Sequence, residues 1–269
     1  MIAPFPTRPD SMSSPVAAPA SSAWSYDAIA DVYATDMGQS MPFDDVGCYR
    51  ALAQAHGGCT LELGCGTGRI LLELLAAGVD ACGADRSLPM LKRLCRDAAA
   101  RGLTPRVVQM DLRALALRAT IDVILLPYSL ITYILDRDVA ATMLTQLRTL
   151  LARDGVLVLD AFVPQPVASF ADFRLDYRRP HGEGTLERHK RITANSDGTN
   201  RIERRYRLYT GAAPTPRDEF HTDETIRPYA PAELSVLAAA AGLQVDKWIY
   251  DYGTRAQCEG ARFATAVMR

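Results

Sequence analysis

An apolar strand that runs straight into three alternating glycines, and then into a helical pattern, constrains this chain more than any other feature. The stretch is Thr60-Leu61-Glu62-Leu63-Gly64-Cys65-Gly66-Thr67-Gly68-Arg69. A helix is predicted over Ile70 to Ala77, with Ile70, Leu71, Leu74 and Leu75 on one buried stripe. Strand, glycine turn and helix in this order open a doubly wound α/β unit. Glycine supplies backbone angles that a Cβ forbids and lets a ligand approach the main chain closely. The amides at the helix start then face that ligand.

Spacing separates two cofactor classes. A dinucleotide fingerprint wants glycine at the first, third and sixth positions, and the sixth is Arg69. The third glycine comes instead at the fifth position, Gly68. In this G-x-G-x-G form the run L-E-L-G-C-G-T-G resembles motif I of the class I S-adenosylmethionine-dependent methyltransferases. The resemblance implies a Rossmann-like, seven-stranded, mostly parallel sheet with helices on both faces. It also implies S-adenosylmethionine as cofactor, S-adenosylhomocysteine as product, and Glu62, Gly64, Cys65, Gly66 and Gly68 as cofactor contacts.

Two acids at later strand ends fit the same scheme. Val79 to Asp85 reads as the second strand, and Asp85 lies 21 residues after Gly64, where a carboxylate can accept both ribose hydroxyls, with Arg86 beside it. NAD enzymes place an acid similarly, and Asp85 competes with Ser87 to cap the helix predicted over Leu88 to Arg101. One strand on, Arg106 to Leu112 contains Met110-Asp111-Leu112. In the resembling family that position holds the adenine amine between flanking residues; the plainer role for Asp111 is to cap the next turn. Ile121 to Leu126 is a continuous apolar run, as a strand buried on both faces requires, and ends at Pro127-Tyr128-Ser129 on the ligand-binding edge.

Residues 1–23 are rich in Pro, Ala and Ser and are expected to stay disordered; they have no basic start followed by an apolar core, so no signal peptide is expected. No run approaches 18 apolar residues, so no membrane span is expected either. A net charge of -1 gives no global pull toward nucleic acid or membrane. The six cysteines, Cys48, Cys59, Cys65, Cys82, Cys95 and Cys258, form no C-x-x-C pair, which argues against a zinc site or a disulfide framework and fits a reducing cytoplasm. No metal site is expected, and Cys65 reads as a small residue under a crowded turn rather than a nucleophile.

Before the first strand, Tyr26, Ile29, Ala30 and Tyr33 share one helical face, and a helix is expected from about Val46 to His56. The pattern Y-D-x-I-A-x-x-Y resembles a segment that many small-molecule methyltransferases fold over the cofactor; an amphipathic helix packed on the sheet is the alternative. As a lid it would use Trp24, Tyr26 and Tyr33 to exclude water. The Y-D-A-I-A segment with Tyr33 to Met37 is also similar to azapteridine N-methyltransferases of toxoflavin-type biosynthesis. That similarity implies a flat heteroaromatic acceptor among Trp24, Tyr26, Tyr128 and Tyr133.

Beyond the fourth strand, a helix over Val139 to Leu151 and a strand over Val156 to Asp160 flank a turn at Asp154-Gly155. Ser129, Tyr133 and Phe162 should border the site. Residues 164–229 break the alternation and read as an antiparallel insertion. Leu186 to Ala194 and Thr199 to Tyr209 flank Ser196-Asp197-Gly198. A three-residue loop with left-handed Gly198 sets Ile192 opposite Ile202 and Leu186 opposite Leu208, placing Ile192, Ile202, Tyr206 and Leu208 on a buried face. His221 to Tyr229 can add a strand. The insertion's many arginines read as a solvated outer face, an RNA surface being the sharper alternative. Covering an acceptor pocket and mediating a homodimer both stay open for it. A helix over Ala232 to Ala241 and strands over Leu243 to Tyr250 and Arg262 to Met268 complete the sheet.

The division is therefore a leader at 1–23, a lid and cofactor part at 24–163, an insertion at 164–229, and a return to the main sheet at 230–269. The expected activity is methyl transfer to nitrogen or oxygen of a small, heteroaromatic molecule in secondary-metabolite biosynthesis. A general base is optional, and His181, His189 and His221 receive no role. An NAD-dependent oxidoreductase and a non-catalytic cofactor-binding accessory protein are the rivals.

Overall fold

A computed structural model describes residues 25–37, 41–211 and 213–269; the leader at 1–23 and Trp24 lie outside the described residues. Five strands come first: β1 (Thr60–Leu63), β2 (Ala81–Asp85), β3 (Arg106–Gln109), β4 (Ile121–Leu126) and β5 (Leu151–Phe162). β6 (Phe170–His181), β7 (Gly184–Ala194), β8 (Asn200–Thr210) and β9 (Asp218–Ile226) make a separate antiparallel sheet. β10 (Val245–Tyr250) and β11 (Phe263–Met268) return to the first. The helices are α1 (Tyr33–Met37), α2 (Asp45–His56), α3 (Leu71–Ala76), α4 (Leu88–Ala100), α5 (Arg137–Leu150) and α6 (Pro231–Ala240).

The main sheet has seven strands in the order β10-β11-β5-β4-β1-β2-β3, parallel except for β11, which runs against both β5 and β10. β1 pairs with β2 on one side and β4 on the other. The chain reverses its winding there, so a crevice opens beyond Leu63 and Leu126 at the carboxyl ends of these two strands. Leu61, Leu63, Ile124, Leu126 and Leu157 pack on one face with α5 and α6; Val123, Leu125, Val156 and Val158 pack on the other with α2, α3 and α4. Two covered faces explain why β4 and the Val156 to Leu159 part of β5 are almost continuously apolar. Among the described residues no helix is long and apolar enough to cross a membrane.

The insertion hairpin has the register its side chains demanded. Ile192 faces Ile202 and Leu186 faces Leu208, with Gly198 at a φ of 82°. β9 joins the other side of β8. Three expectations are corrected. β6 was not foreseen, because its 12 residues mix charged and apolar side chains and carry Pro180; that strand lies on the sheet's edge, where proline is tolerated. Asp154-Gly155 is no simple turn: β5 already begins at Leu151, and these residues fall in an irregularity between the pairings Ile121 to Leu151 and Val123 to Val156. The Tyr26 to Tyr33 stretch is not one helix but a 3-10 turn at Ser25–Ile29 followed by α1. Ile29 and Val32 are wedged against Leu186 and Tyr206 of the second sheet, and this packing overrides the helical period.

Candidate functional site

Gly64 is common to three adjoining cavities at the switch point of the sheet. The first continues along Leu63, Ala84, Asp85, Arg86, Met110, Leu112 and Leu115. The second runs under Tyr33 past Glu62, Cys65, Gly66, Arg69, Pro127 and Tyr128. The third and largest leads from Gly66, Asp85 and Met90 outward to Tyr26, Tyr133, Phe162, Arg188, Ile202 and Arg204. The strand-to-helix turn thus sits where an elongated ligand would branch.

The glycines do unequal work. A Cβ on Gly64, at a φ of 70°, would collide with Leu130, which itself lines two of the cavities. Gly68, at a φ of 87°, lines none of the three; a Cβ there would sit 2.8 Å from Leu94 and 2.9 Å from Leu72. It serves close packing of the turn against α3 and α4. Asp85 ends β2, with Oδ2 accepting the Gly66 amide at 2.8 Å and Oδ1 accepting the Ser87 amide at 2.8 Å. Burial holds its carboxyl above the ordinary value. The helix cap is Ser87, whose hydroxyl accepts the Met90 amide, so Asp85 keeps lone pairs toward the cavity.

Glu62 is 2% exposed, burial pushes its carboxyl up to about 8, and its buried Oε2 has no hydrogen-bond partner among the described residues. A buried carboxylate oxygen left without a donor calls for a cationic or N–H-bearing ligand group. Nearby Arg69 is committed to Asp45 through contacts of 2.8 and 2.6 Å, with its guanidinium 5.7 Å from the Tyr128 ring centre. The Cys65 thiol is held well above its ordinary value by burial, which suits packing rather than nucleophilic attack. Asp111 lies outside the cavity linings: its carboxylate accepts the Arg113 amide and meets the Arg113 guanidinium at 2.6 Å. Met110 and Leu112 flank the cavity without it.

The turn after β4 is strained. Tyr128 and Ser129 both have a φ of 54°, a left-handed conformation that costs roughly 1–3 kcal/mol per non-glycine residue. Asp160, fully buried, holds this turn by accepting the Ser129 amide and the hydroxyls of Tyr49 and Tyr252. Pro127 and Tyr128 are thereby presented to the cavity. Ser129 is buried outside its lining.

The antiparallel sheet roofs the outer cavity, and the segment 25–37 is tied to it. The hydroxyls of Tyr26 and Tyr133 meet at 2.7 Å, and Thr35 reaches His181 Nδ1 at 2.8 Å. Asp36, 4% exposed, accepts hydrogen bonds from Tyr177 at 2.6 Å and Tyr206 at 3.0 Å and pairs with Arg188. Tyr26 and Tyr33 meet edge-on at 5.9 Å between ring centres. Thus Tyr26, Tyr33, Tyr128 and Tyr133 converge on one cavity. Asp36, Met37, Met90, Leu130, Thr132, Arg188, Ile202, Arg204 and Ile226 line it too and were not foreseen. For Arg204 a signal existed, since alternation puts it on the face of Ile202 and Tyr206. On the opposite face, Arg191, Arg201 and Arg207 pair with Glu203, Asp223 and Glu219, a solvated lattice of opposite charges.

Residues 60–155 match the methyltransferase domain family. No curated protein matches the chain. Among solved structures, the CcbJ methyltransferase from Streptomyces caelestis is similar at a TM-score of 0.75 and 24% identity, over 91% of this chain and 98% of that one. A sugar N-methyltransferase from Streptoalloteichus sp. is similar at 0.70 and 21% identity, over 95% and 98%. An amino pentose methyltransferase from Micromonospora echinaspora, involved in calicheamicin biosynthesis and seen with S-adenosylmethionine bound, is similar at 0.67 and 21% identity, over 87% and 95%. Residues 60–155 thus match a methyltransferase domain, and the chain has the fold of these S-adenosylmethionine-dependent methyltransferases.

Proposed function

We propose that this methyltransferase domain moves a methyl group to a nitrogen or oxygen of a small cyclic molecule enclosed between the main sheet and the antiparallel roof. The observation that carries this reading is the continuity of the outer cavity from Gly64, Gly66 and Asp85 to the tyrosines and the inner face of β8. Its empty volume of about 970 Å³, counted out to the open mouth, suits part of a cofactor and a small acceptor rather than a polymer.

The residues fit the cofactor by their chemistry. Asp85 offers a carboxylate to ribose hydroxyls, Glu62 offers an unpartnered oxygen to an ammonium group, and Met110, Leu112 and Leu115 offer apolar walls to an adenine ring. S-adenosylmethionine supplies a methyl group that is already activated. What remains for the protein is to hold the acceptor in line and keep water out. Tyr26, Tyr33, Tyr128, Tyr133 and Phe162 form the enclosing wall. Burial holds the Tyr33 and Tyr133 hydroxyls well above their ordinary values, so they stay protonated and act as neutral hydrogen-bonding groups.

Ring-lined walls favour a flat acceptor, and a heteroaromatic ring, with an azapteridine as the narrowest version, is the first class to test. An aminated sugar is the second, favoured by the structural neighbours whose substrates are sugars. The experiment is calorimetric titration with S-adenosylhomocysteine and, separately, NADH, followed by a methyl-transfer screen across both acceptor classes. Binding of S-adenosylhomocysteine alone and turnover of a cyclic amine or hydroxyl compound are expected. Binding of NADH alone would overturn the reading, and cofactor binding with no transfer across the screen would favour an accessory protein.

A further inference from the structure

The roof of the cavity holds a cation that forms no ion pair among the described residues. Arg204 lies on β8 between Ile202 and Tyr206, on the face turned toward the main sheet, and lines the outer cavity with Ile202. Its Nη1 is sealed from solvent and has no hydrogen-bond partner, and no carboxylate lies within 4.0 Å of the guanidinium among the described residues. Its surroundings are the hydroxyls of Tyr26, Tyr133 and Tyr206 and the carboxyl groups of Asp36 and Glu224. Asp36 is already taken by Arg188, Tyr177 and Tyr206.

The rest of the roof makes this arrangement conspicuous. Arg188, which also lines the cavity, has Asp36 and Asp176, and Lys190 has Asp176 at 2.9 Å. Every arginine discussed on the outer face has an acid. Directly opposite Arg204 on β9 stands Thr222, 2% exposed, whose Oγ1 is likewise unpartnered but which lies outside the cavity lining. Glu224, two residues further and 5% exposed, has an unpartnered Oε1 and forms no ion pair with Arg204; burial pushes its carboxyl up to about 7 against the opposing pull of the Arg204 charge. An interior cation that forgoes its hydrogen bonds is costly, and a fold can retain it where a ligand supplies the missing partner.

We propose that Arg204 is the subsite for a negatively charged oxygen on the methyl acceptor, so that the acceptor is an anion. This rests on the reading of the cavity as an acceptor pocket given above. The shared chemistry is an anionic oxygen; a planar carboxylate and a tetrahedral phosphate are its two sources. The guanidinium offers paired donors to either. With Arg188 neutralised, Arg204 sets the charge preference of the pocket, while the tyrosines set its shape.

The test uses the whole chain loaded with S-adenosylhomocysteine and four small probes: benzoate, phenyl phosphate, benzamide and phenol. Binding is followed by NMR titration. At least one anion is expected to bind about tenfold or more tightly than both neutral probes, the worth of one charge-assisted hydrogen bond. Which anion wins identifies the source. The preference should vanish in Arg204→Met and persist in Arg204→Lys. Because Arg204→Met removes an interior charge that forms no ion pair, its ligand-free melting temperature should rise.

A wild-type protein that does not favour an anion, whether it binds all four probes alike or none, overturns the proposal. So does a preference that survives Arg204→Met. A drop in melting temperature, or an Arg204→Met chain that no longer folds, would make Arg204 a structural residue and overturn it equally. The titrations are repeated on unloaded protein. Failure to bind S-adenosylhomocysteine would then count against the methyltransferase reading alone, and the anion preference would still be measured.

Discussion

The two sheets meet at one cavity but build it from different materials. The parallel sheet contributes main chain and strand-end acids: the Gly64 to Gly66 turn, Asp85, and the strained Pro127 to Ser129 turn held by Asp160. The antiparallel sheet contributes side chains from one sheet face, Arg188 of β7, Ile202 and Arg204 of β8 and Ile226 of β9, and is locked to the segment 25–37. The first half is geometry fixed by a turn and suits a ligand of constant shape. The second is an exchangeable surface, in which one substitution alters charge or volume without disturbing a backbone path. A fold that keeps its cofactor and varies its acceptor would be divided in this way.

The sharpest way to break this division is at the lock. Asp36→Ala strips a buried ion pair of one acid, leaving Arg188 with Asp176 alone and Tyr177 and Tyr206 without their acceptor, which should cost about 3 kcal/mol in denaturant unfolding. If the roof is not integral to the fold, the midpoint will barely move. Asp85→Ala tests the other half. It should lower affinity for S-adenosylhomocysteine about ten- to a hundredfold, for the loss of charge-assisted hydrogen bonds to ribose, and leave the roof intact. A folded variant with undiminished affinity would remove Asp85 from the cofactor site.

Glu62 gives a subtler test. Its folded carboxyl titrates near 8 rather than 4.5, so the native state holds a proton that the unfolded chain has already lost across that window. Its contribution to stability therefore falls as pH rises from about 4.5 toward 8. If an ammonium group of the cofactor settles against it, binding near pH 7 should release up to about one proton, read from calorimetry in buffers of different ionisation enthalpy. Proton release unchanged in Glu62→Gln would place the coupling elsewhere. The smallest effect is expected on the outer face of the roof. Arg201→Ala breaks an exposed pair with Asp223 and should leave the denaturation midpoint where it was, because solvent and salt screen such pairs. A large loss there would mean that the outer lattice, and not the inner lock, holds the roof.

Much of the parallel-sheet half of the cavity was legible because its signals are local. The third glycine is the instructive exception. Gly68 does distinguish the motif, but the residue packs against Leu72 and Leu94 and stays out of the cavity. Asp111 teaches the same lesson: its place at a strand end was readable, whereas its engagement by Arg113 depended on a side chain two residues away choosing that partner. In the roof, the hairpin register was readable from Ile192, Ile202, Leu186 and Leu208, and yet its arginines were grouped as one solvated set. Parity divides them. Arg201 and Arg207 point away, and Arg188 and Arg204 point in.

Composition and period decided the alternation of strands and helices, the glycine turn, the two-faced burial of β4 and β5, and the pairing of β7 with β8. These features follow from neighbours a few residues apart, whose backbone angles and side-chain period leave few choices. Tertiary structure alone decided that β6 would close the edge of the roof, that Asp36 would meet Arg188 across 152 positions, and that Arg204 would be left over. A charge pair in space is a property of two distant segments brought together by packing, and the sequence records only that both charges exist.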